Sequence, residues 1–396
     1  MMDTKMIAHA VQEYGTPSYV FDIDVFQNRI RMIQEVLGPQ VQLCYAMKAN
    51  PFLIGAAAAN LARLEVCSPG EFAICERNQI PAEQLVLSGV YKEQAEIEKI
   101  LEKYGAAGIH TIESEQQFKM LASLAEKRGF KLCVLLRLTS GNQFGLDEEV
   151  LKTIVKNRAD YPGIQILGVQ YYSGTQKKKA EILEQEIVRL DRLLLELKEL
   201  YGYEAKELEY GPGLYVPYFA TEGDENNEEL FQLREQLMQM QFDGRITLEM
   251  GRYMAASCGT YLTKVVDEKE NAGVHYAIVD GGIHHLNYFG QTMAMKLPYF
   301  KQLNGENFEE KADGVENLTT VCGSLCTVSD VLVKKMPLHG EIMGDVLAFE
   351  NTGAYSVTEG IYLFLSRAFP KVIFATEENG LELVRDTVQS HCFNGI

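Results

Sequence analysis

The sequence predicts an α/β chain: a (β/α)8 barrel of the TIM type followed by a C-terminal β domain. Apolar, β-branched runs alternate with helix-length amphipathic segments through the first two thirds of the chain. About eight such runs, each followed by a helix except the last, is the rhythm of the barrel. After about residue 255 the texture changes to short β-rich runs, which reads as a separate domain. An open doubly wound sheet is the rival architecture, but it more often stops at five or six strands and switches direction. At 396 residues the chain can bury a sizeable core and has room for more than one domain.

The barrel strands are expected at 42–47, 64–67, 85–88, 108–111, 132–138, 165–172, 207–210 and 246–249. Helical patterns lie between them at 56–61, 94–103, 115–128, 179–200 and 227–240. In the second domain strands are expected at 260–266, 274–279, 318–321, 331–333 and 346–350, with turns at 280–282 and 339–341. One later helix is expected at 358–367, and the polar segment 303–314, with two glycines, is expected to be a mobile loop. No internal repeat and no low-complexity tract is visible.

The composition, 46% hydrophobic and 23% charged, is that of an ordinary soluble globular protein. A formal net charge of −18 argues against nucleic-acid partners, because nothing in that balance would displace counterions from phosphates. It equally disfavours attraction to an anionic membrane. The first fifteen residues carry no apolar signal-like core, and no apolar run approaches the eighteen or so residues of a membrane span. A cytoplasmic location is the resulting expectation. The eight cysteines form neither a CxxC pair nor a dense framework, and most sit in apolar stretches as small core residues.

Barrel chemistry gathers at the C-terminal ends of the strands. The first strand ends in Met47-Lys48-Ala49-Asn50-Pro51. A lysine there must snorkel, pair or become partly neutral, and a lysine of lowered pKa suits Schiff-base chemistry. The sixth ends in Tyr172-Ser173-Gly174-Thr175-Gln176 and the seventh in Tyr210-Gly211-Pro212-Gly213. Glycines at a strand end let backbone N–H groups approach an anion, although a plain tight turn reads the same way. The eighth ends in Glu249-Met250-Gly251-Arg252, where the two charges could simply pair. Together, a lysine, two glycine turns, a hydroxyl, an arginine and a carboxylate on one rim suit an anionic, carbonyl-bearing, nitrogenous cofactor. Pyridoxal phosphate meets that description.

The same residues resemble the ornithine/diaminopimelate decarboxylase family of fold-type III (alanine racemase-like) pyridoxal-phosphate enzymes. Tyr45 to Asn50 resembles its cofactor-lysine motif, and Leu208 to Tyr218 (LEYGPGLYVPY) its phosphate-binding loop. Glu249-Met250-Gly251-Arg252 stands where the family has E-P-G-R, and Cys322 to Asp330 (CGSLCTVSD) resembles its G-P-x-C-x-S-x-D segment. The matches run from Tyr14-Gly15-Thr16-Pro17 to Gly353-Ala354-Tyr355. The resemblance implies a barrel at 23–255 and a β domain made of 1–22 and 256–396. It implies that Lys48 carries the cofactor as an internal aldimine, with Glu65 nearby, and that Glu249 keeps the pyridine nitrogen protonated. Gly211, Gly213 and Tyr355 would hold the phosphate, with Thr175, Gly251 and Arg252 beside them, and Arg137 would lie near the cofactor. Cys326 would return the proton after decarboxylation, and Asp280, Tyr288 and Asp330 would border the substrate. In such families the β domain reaches the partner's barrel, so a homodimer with shared active sites is implied.

Four departures bear on substrate. Tyr172 replaces a ring-stacking histidine, and Glu65 replaces an aspartate. Thr327 follows the cysteine where diaminopimelate decarboxylases have glutamate, and Tyr288 stands in place of their distal-carboxylate arginine. A pocket without those two anchors leaves two charges of diaminopimelate unpaired. Tyr172 to Gln176, Asp280 to His285 and Leu325-Cys326-Thr327 resemble a secondary-pathway subgroup that includes a decarboxylase of a glutamyl group on an acyl-carrier protein. The expected function is therefore α-decarboxylation of an L-amino acid or a carrier-bound aminoacyl group. Diaminopimelate decarboxylation proper, a racemase on the same barrel, and a non-catalytic cofactor-binding relative are the alternatives. Glu249 opposes the racemase, which wants arginine at the ring nitrogen; Lys48 and Cys326 together oppose the non-catalytic reading.

Overall fold

The computed structural model describes residues 2–223, 226–311 and 314–395. The chain opens with a helix, Thr4–Tyr14, and a strand, β1 (Ser18–Asp22). Eight parallel strands then close into a barrel: β2 (Val41–Ala46), β3 (Arg63–Val66), β4 (Leu85–Leu87), β5 (Ile109–Ile112), β6 (Leu132–Leu138), β7 (Ile164–Tyr172), β8 (Glu207–Gly211) and β9 (Arg245–Met250). The circle is completed by β2 pairing with β9, Val41 beside Ile246 and Tyr45 beside Met250. Strands that are covered on both faces read as unbroken apolar runs, and for that reason these segments stand out in the sequence. The rest of the chain builds a nine-stranded sheet from β1 with β10 (Gly259–Asn271), β11 (Val274–Val279), β12 (Phe300–Leu303), β13 (Glu316–Cys322), β14 (Val331–His339), β15 (Val346–Phe349), β16 (Lys371–Thr376) and β17 (Gly380–Arg385).

The barrel helices begin and end on recognisable chemistry. Ser68 and Ser114 cap Pro69–Arg77 and Glu115–Arg128 by accepting from the N–H of Glu71 and Gln117, while Gly129 and Gly202 close two helices in the left-handed conformation. The long helix Ala180–Tyr201 buries Leu183, Ile187, Leu190, Leu194 and Leu197 along one stripe. Inside the barrel, Cys44, Val86, Ile109 and Leu135 form an apolar layer contributed by four strands. Gly168 on β7 pairs with Glu207 on β8, and a Cβ on it would lie 1.7 Å from the Glu207 carbonyl oxygen; only glycine lets these strands meet there.

By its contacts the chain forms two compact units: Met1–Asn28 with Val216–Glu225 and Met254–Ile396, and Arg29–Tyr215 with Asn226–Tyr253. In the first, β1 lies between β10, antiparallel, and β16, parallel. Its core joins Ile7, Val11 and Val20 from the N-terminal end to Leu262, Val346, Ala348 and Ile373.

Two expectations need correction. No helix forms over 358–367; the backbone turns instead, with Leu365 and Ser366 at positive φ and a single short turn at Phe364–Ser366. Gly360 is pressed against the main chain of His284, where a Cβ would meet the carbonyl oxygen at 2.1 Å, and this packing overrides the local helical pattern. The segment 303–314 is not a loose loop where it is described: Leu303 ends β12, Phe308 N–H donates to Asn304 O, and Lys311 Nζ reaches Asp345 at 2.6 Å. Residues 312 and 313 of that segment lie outside the described residues.

Candidate active site

Lys48 sits on a tight helical turn, Met47–Ala49, that directly continues β2. Its neighbours lock the turn: the buried Tyr45 hydroxyl donates to Asn50 O at 3.0 Å, and the Asn50 side chain accepts from Phe52 N–H at 3.0 Å. Lys48 Nζ then projects between two buried carboxylates. It donates to Glu65 Oε2 and to Glu249 Oε1, the latter at 3.2 Å, with Cys67 Sγ 3.9 Å away. Glu65 is on β3 and Glu249 on β9, the two strands flanking β2, so both acids point into the barrel beneath the lysine.

The two acids are not equivalent. Burial alone would raise Glu65, but Lys48 beside it and its hydrogen bonds outweigh burial and hold it at about 2. Glu249 is pushed up to about 7, first by burial and then by the charge of Glu65. Deeper still, Gln170 Nε2 on β7 reaches Glu249 Oε2 at 3.5 Å and Glu209 Oε1 on β8 at 2.7 Å. Arg63 on β3 spans the barrel to Glu207 on β8 through both guanidinium NH groups, and the Thr247 hydroxyl also donates to Glu207, at 2.9 Å.

Three more strand ends complete the rim. The Tyr172 ring lies against Gly211, so closely that a Cβ there would sit 2.6 Å from a ring carbon. Gly213, at φ 62°, brings its turn onto the one after β7: a Cβ would meet Gly174 O at 2.0 Å, and Lys177 N–H donates to Gly213 O. Glu186 anchors that turn from the following helix, accepting from Ser173, from Lys177 at 2.7 Å and from the Tyr210 hydroxyl at 2.6 Å. The buried Arg252 donates to Thr175 Oγ1 at 3.3 Å, and Gly251 packs on Ala49 of the lysine turn. Arg137, at the end of β6, is not joined to this cluster by any described contact; it pairs with Glu113 at 3.2 Å and stacks over Phe144.

The remaining candidates belong to the other unit. Cys326 is exposed on a loop between β13 and β14. Asp330, almost wholly buried, accepts from Leu325 N–H at 2.7 Å and Ile283 N–H at 2.8 Å, so it ties down the loop that presents the thiol. Asp280 accepts from Thr16, Thr263 and Lys264 N–H. The Tyr288 hydroxyl donates to Glu350 O at 2.5 Å, its ring packed on Tyr218 and Phe219, at the edge of a cavity of about 560 Å³ that also touches Leu286, Val328 and Ile361. Tyr355 adopts φ 66°.

Sequence reasoning passed over Glu209, Gln170, Arg63 and Glu207. The signal was present: Glu207 and Glu209 are two apart on a fully buried strand, so both face one side, and here that side is the barrel interior.

Residues 23–256 match the model of the pyridoxal-dependent decarboxylase family, pyridoxal binding domain. Among curated relatives, the L-glutamyl-[BtrI acyl-carrier protein] decarboxylase of Niallia circulans is 26% identical over 97% of this chain and 94% of its own. The diaminopimelate decarboxylase of Campylobacter jejuni is also 26% identical, over 89% of each. Among solved structures, the diaminopimelate decarboxylase of M. jannaschii in complex with L-lysine superposes with a TM-score of 0.83 at 23% identity, covering 96% of this chain and 92% of that one.

Proposed function

Because the chain belongs to the pyridoxal-dependent decarboxylases and uses pyridoxal phosphate as cofactor, we propose that it removes the α-carboxylate of an L-amino acid or aminoacyl substrate, with Lys48 carrying the cofactor. The observation that supports this most is Lys48 Nζ on its rigid turn, between Glu65 and Glu249. The surroundings fit the group. Main chain at Gly211 and Gly213 comes too close to its neighbours for any Cβ, leaving backbone N–H groups, Thr175 and Arg252 for a phosphate. Arg137 Nε is buried without a hydrogen-bond partner, as a donor meant for a ligand would be. When bound, the cofactor supplies an electron sink for the bond to the departing carboxylate.

The chain's own residues have separable tasks. Lys48 would hold the cofactor and release it to the substrate amine, and Glu249 would keep its ring nitrogen protonated. Tyr172 would cover the ring, and Gly251 and Tyr355 would border the phosphate. Cys326 returns a proton to the α-carbon after CO2 leaves, reaching the barrel of a second copy in a homodimer. Asp280 and Asp330 shape the substrate's surroundings by fixing main chain, and Tyr288 lines them with an apolar face.

For the substrate we favour a carrier-bound glutamyl group. Tyr288 turns its hydroxyl inward onto Glu350 O, so it offers no cation to a free distal carboxylate. Free diaminopimelate is the second reading, supported by relatives of that name at equal identity.

Borohydride reduction followed by peptide mapping should fix the cofactor on Lys48; an unmodified Lys48 overturns its assignment. CO2 release is then compared for free diamino acids, glutamate and carrier-bound glutamate. Release from the carrier-bound form alone supports the favoured substrate, release from diaminopimelate selects the second reading, and racemisation without CO2 removes the decarboxylase function. Mixing Lys48→Ala and Cys326→Ala chains should restore activity if sites are shared; mixtures as inactive as either variant would exclude the shared site.

A further inference from the structure

Glu209 has no task in the function proposed above, yet it lies wholly buried inside the barrel. The groups facing it come from four strands. Gln170 lies on β7, Thr247 and Glu249 on β9, Arg63 and Glu65 on β3, and Cys44 on β2. Of these, Thr247 and the two close contacts of Arg63 go to Glu207; Arg63 comes no nearer than 3.8 Å to Glu209 Oε2. With Arg63 matched to Glu207, three carboxylates (Glu65, Glu209 and Glu249) are left with one close cation, Lys48, which pairs with Glu65 and Glu249. Two negative charges are then in excess among carboxylates that are themselves buried, and burial resists that excess.

The hydrogen bonds show the same deficit. Gln170 Nε2 serves both Glu209 Oε1 and Glu249 Oε2. Glu209 Oε2 and Gln170 Oε1, both buried acceptors, have no donor. Two orphaned acceptors on hydrogen-bonded side chains are one donor short, and a single acidic proton shared between them satisfies both.

We propose that Glu209 is a neutral carboxylic acid in the working enzyme, whose proton supplies the missing donor and leaves the negative charge on Glu65 and Glu249. It is a positioning residue: through Gln170 it fixes the orientation and charge of Glu249. The ordering of the acids agrees. Burial, then the charge of Glu249, push Glu209 up to about 8, above Glu249 at about 7 and Glu65 at about 2. Between the ordinary carboxyl value of 4.5 and about 8, the folded chain holds a proton that the unfolded chain has released. Stability therefore falls as pH rises across that window and levels off above it. Only the consequence for Glu249 at the cofactor ring rests on the proposed function; the proton on Glu209 does not.

The test uses the full-length holoenzyme and its Glu209→Gln variant. Infrared difference spectra of the wild type should show a protonated carboxyl C=O band near neutral pH that titrates away around pH 8 and is missing from Glu209→Gln. The unfolding free energy of the variant should fall less steeply between about pH 5 and 8, by about one proton. The absorbance of bound cofactor should lose its pH dependence near 8. A wild type without the band at neutral pH, or a band that survives in Glu209→Gln, overturns the proposal. The wild-type titration decides the matter even if the variant fails to fold. Failure to find any decarboxylated substrate would count against the function and leave the infrared result standing.

Discussion

At the scale of single residues, the acids around Lys48 divide the work by environment. Glu65 and Glu249 touch the same ammonium group, yet one is held at about 2 and the other rises to about 7, so their charges respond to pH in different ranges. A glutamine at position 249 keeps the hydrogen bond and removes the charge. Glu249→Gln should lower kcat by about 10²-fold or more, the scale of acid–base contributions, with the unfolding midpoint little changed. An equal fall in stability would mean that the residue is structural. Asp330 shows the opposite economy, since its oxygens are spent on the N–H groups of Ile283 and Leu325. Asp330→Ala leaves these buried donors open and should lower the urea-unfolding free energy by about 2 kcal/mol or more. Cys326 was legible by motif, but the buried clamp beneath it was not, because side chain-to-backbone bonds leave no periodic trace in sequence.

At the scale of elements, the turns after β7 and β8 act as one piece, since Gly213 lies against Gly174 and Glu186 grips Ser173 and Lys177. Gly213→Ala combines positive φ with a collision at 2.0 Å. It should cost about 1–3 kcal/mol of stability and weaken cofactor binding at least tenfold in a fluorescence titration. Gly202→Ala, at a helix end with nothing within 4 Å, should cost about 1 kcal/mol and leave the cofactor constant alone; equal effects at both positions would contradict the cradle. Barrel strands were readable because each is short, largely buried and, except for the last, followed by its own helix. The segment 358–367 misled because its apolar spacing suits a helix while Gly360 must pack on His284. The Glu209–Gln170–Glu249 line escaped notice for a geometric reason: it runs across three neighbouring strands, β8, β7 and β9, and the register that sets Gln170 beside Glu209 exists only once these strands have paired.

At the scale of the whole molecule, both units bury neutral histidines. Burial lowers His110 to about 3, His284 to about 4 and His285 to about 3. Each takes up a proton on unfolding below its ordinary value of 6.5, so stability present above that pH is lost as pH falls towards the folded values. Glu65 adds a further loss below about 4.5. Between pH 7 and 6 the protons that Glu209 and Glu249 gain in the folded chain offset the loss from the rings, whereas below pH 6 the three rings outnumber the two acids. Urea unfolding should therefore give a lower free energy at pH 5 than at pH 6, and no fall over that step would be incompatible with neutral buried rings. Among the described residues no helix is long and apolar enough to cross a membrane.

The placement of β1 has a consequence in time. Ser18 pairs with Lys371, about 350 residues away. At roughly 5–20 residues per second of synthesis, the first strand waits on the order of 20–70 s for its parallel neighbour. Throughout that interval the barrel strands, whose last member ends at Met250, can already be closing. The N-terminal strand, with Tyr19, Val20 and Phe21 buried in the finished sheet, must meanwhile do without that parallel neighbour. Growth of the nascent chain therefore exposes this protein to a risk of mispairing after Lys48 and the barrel strands have been made and before the molecule is whole.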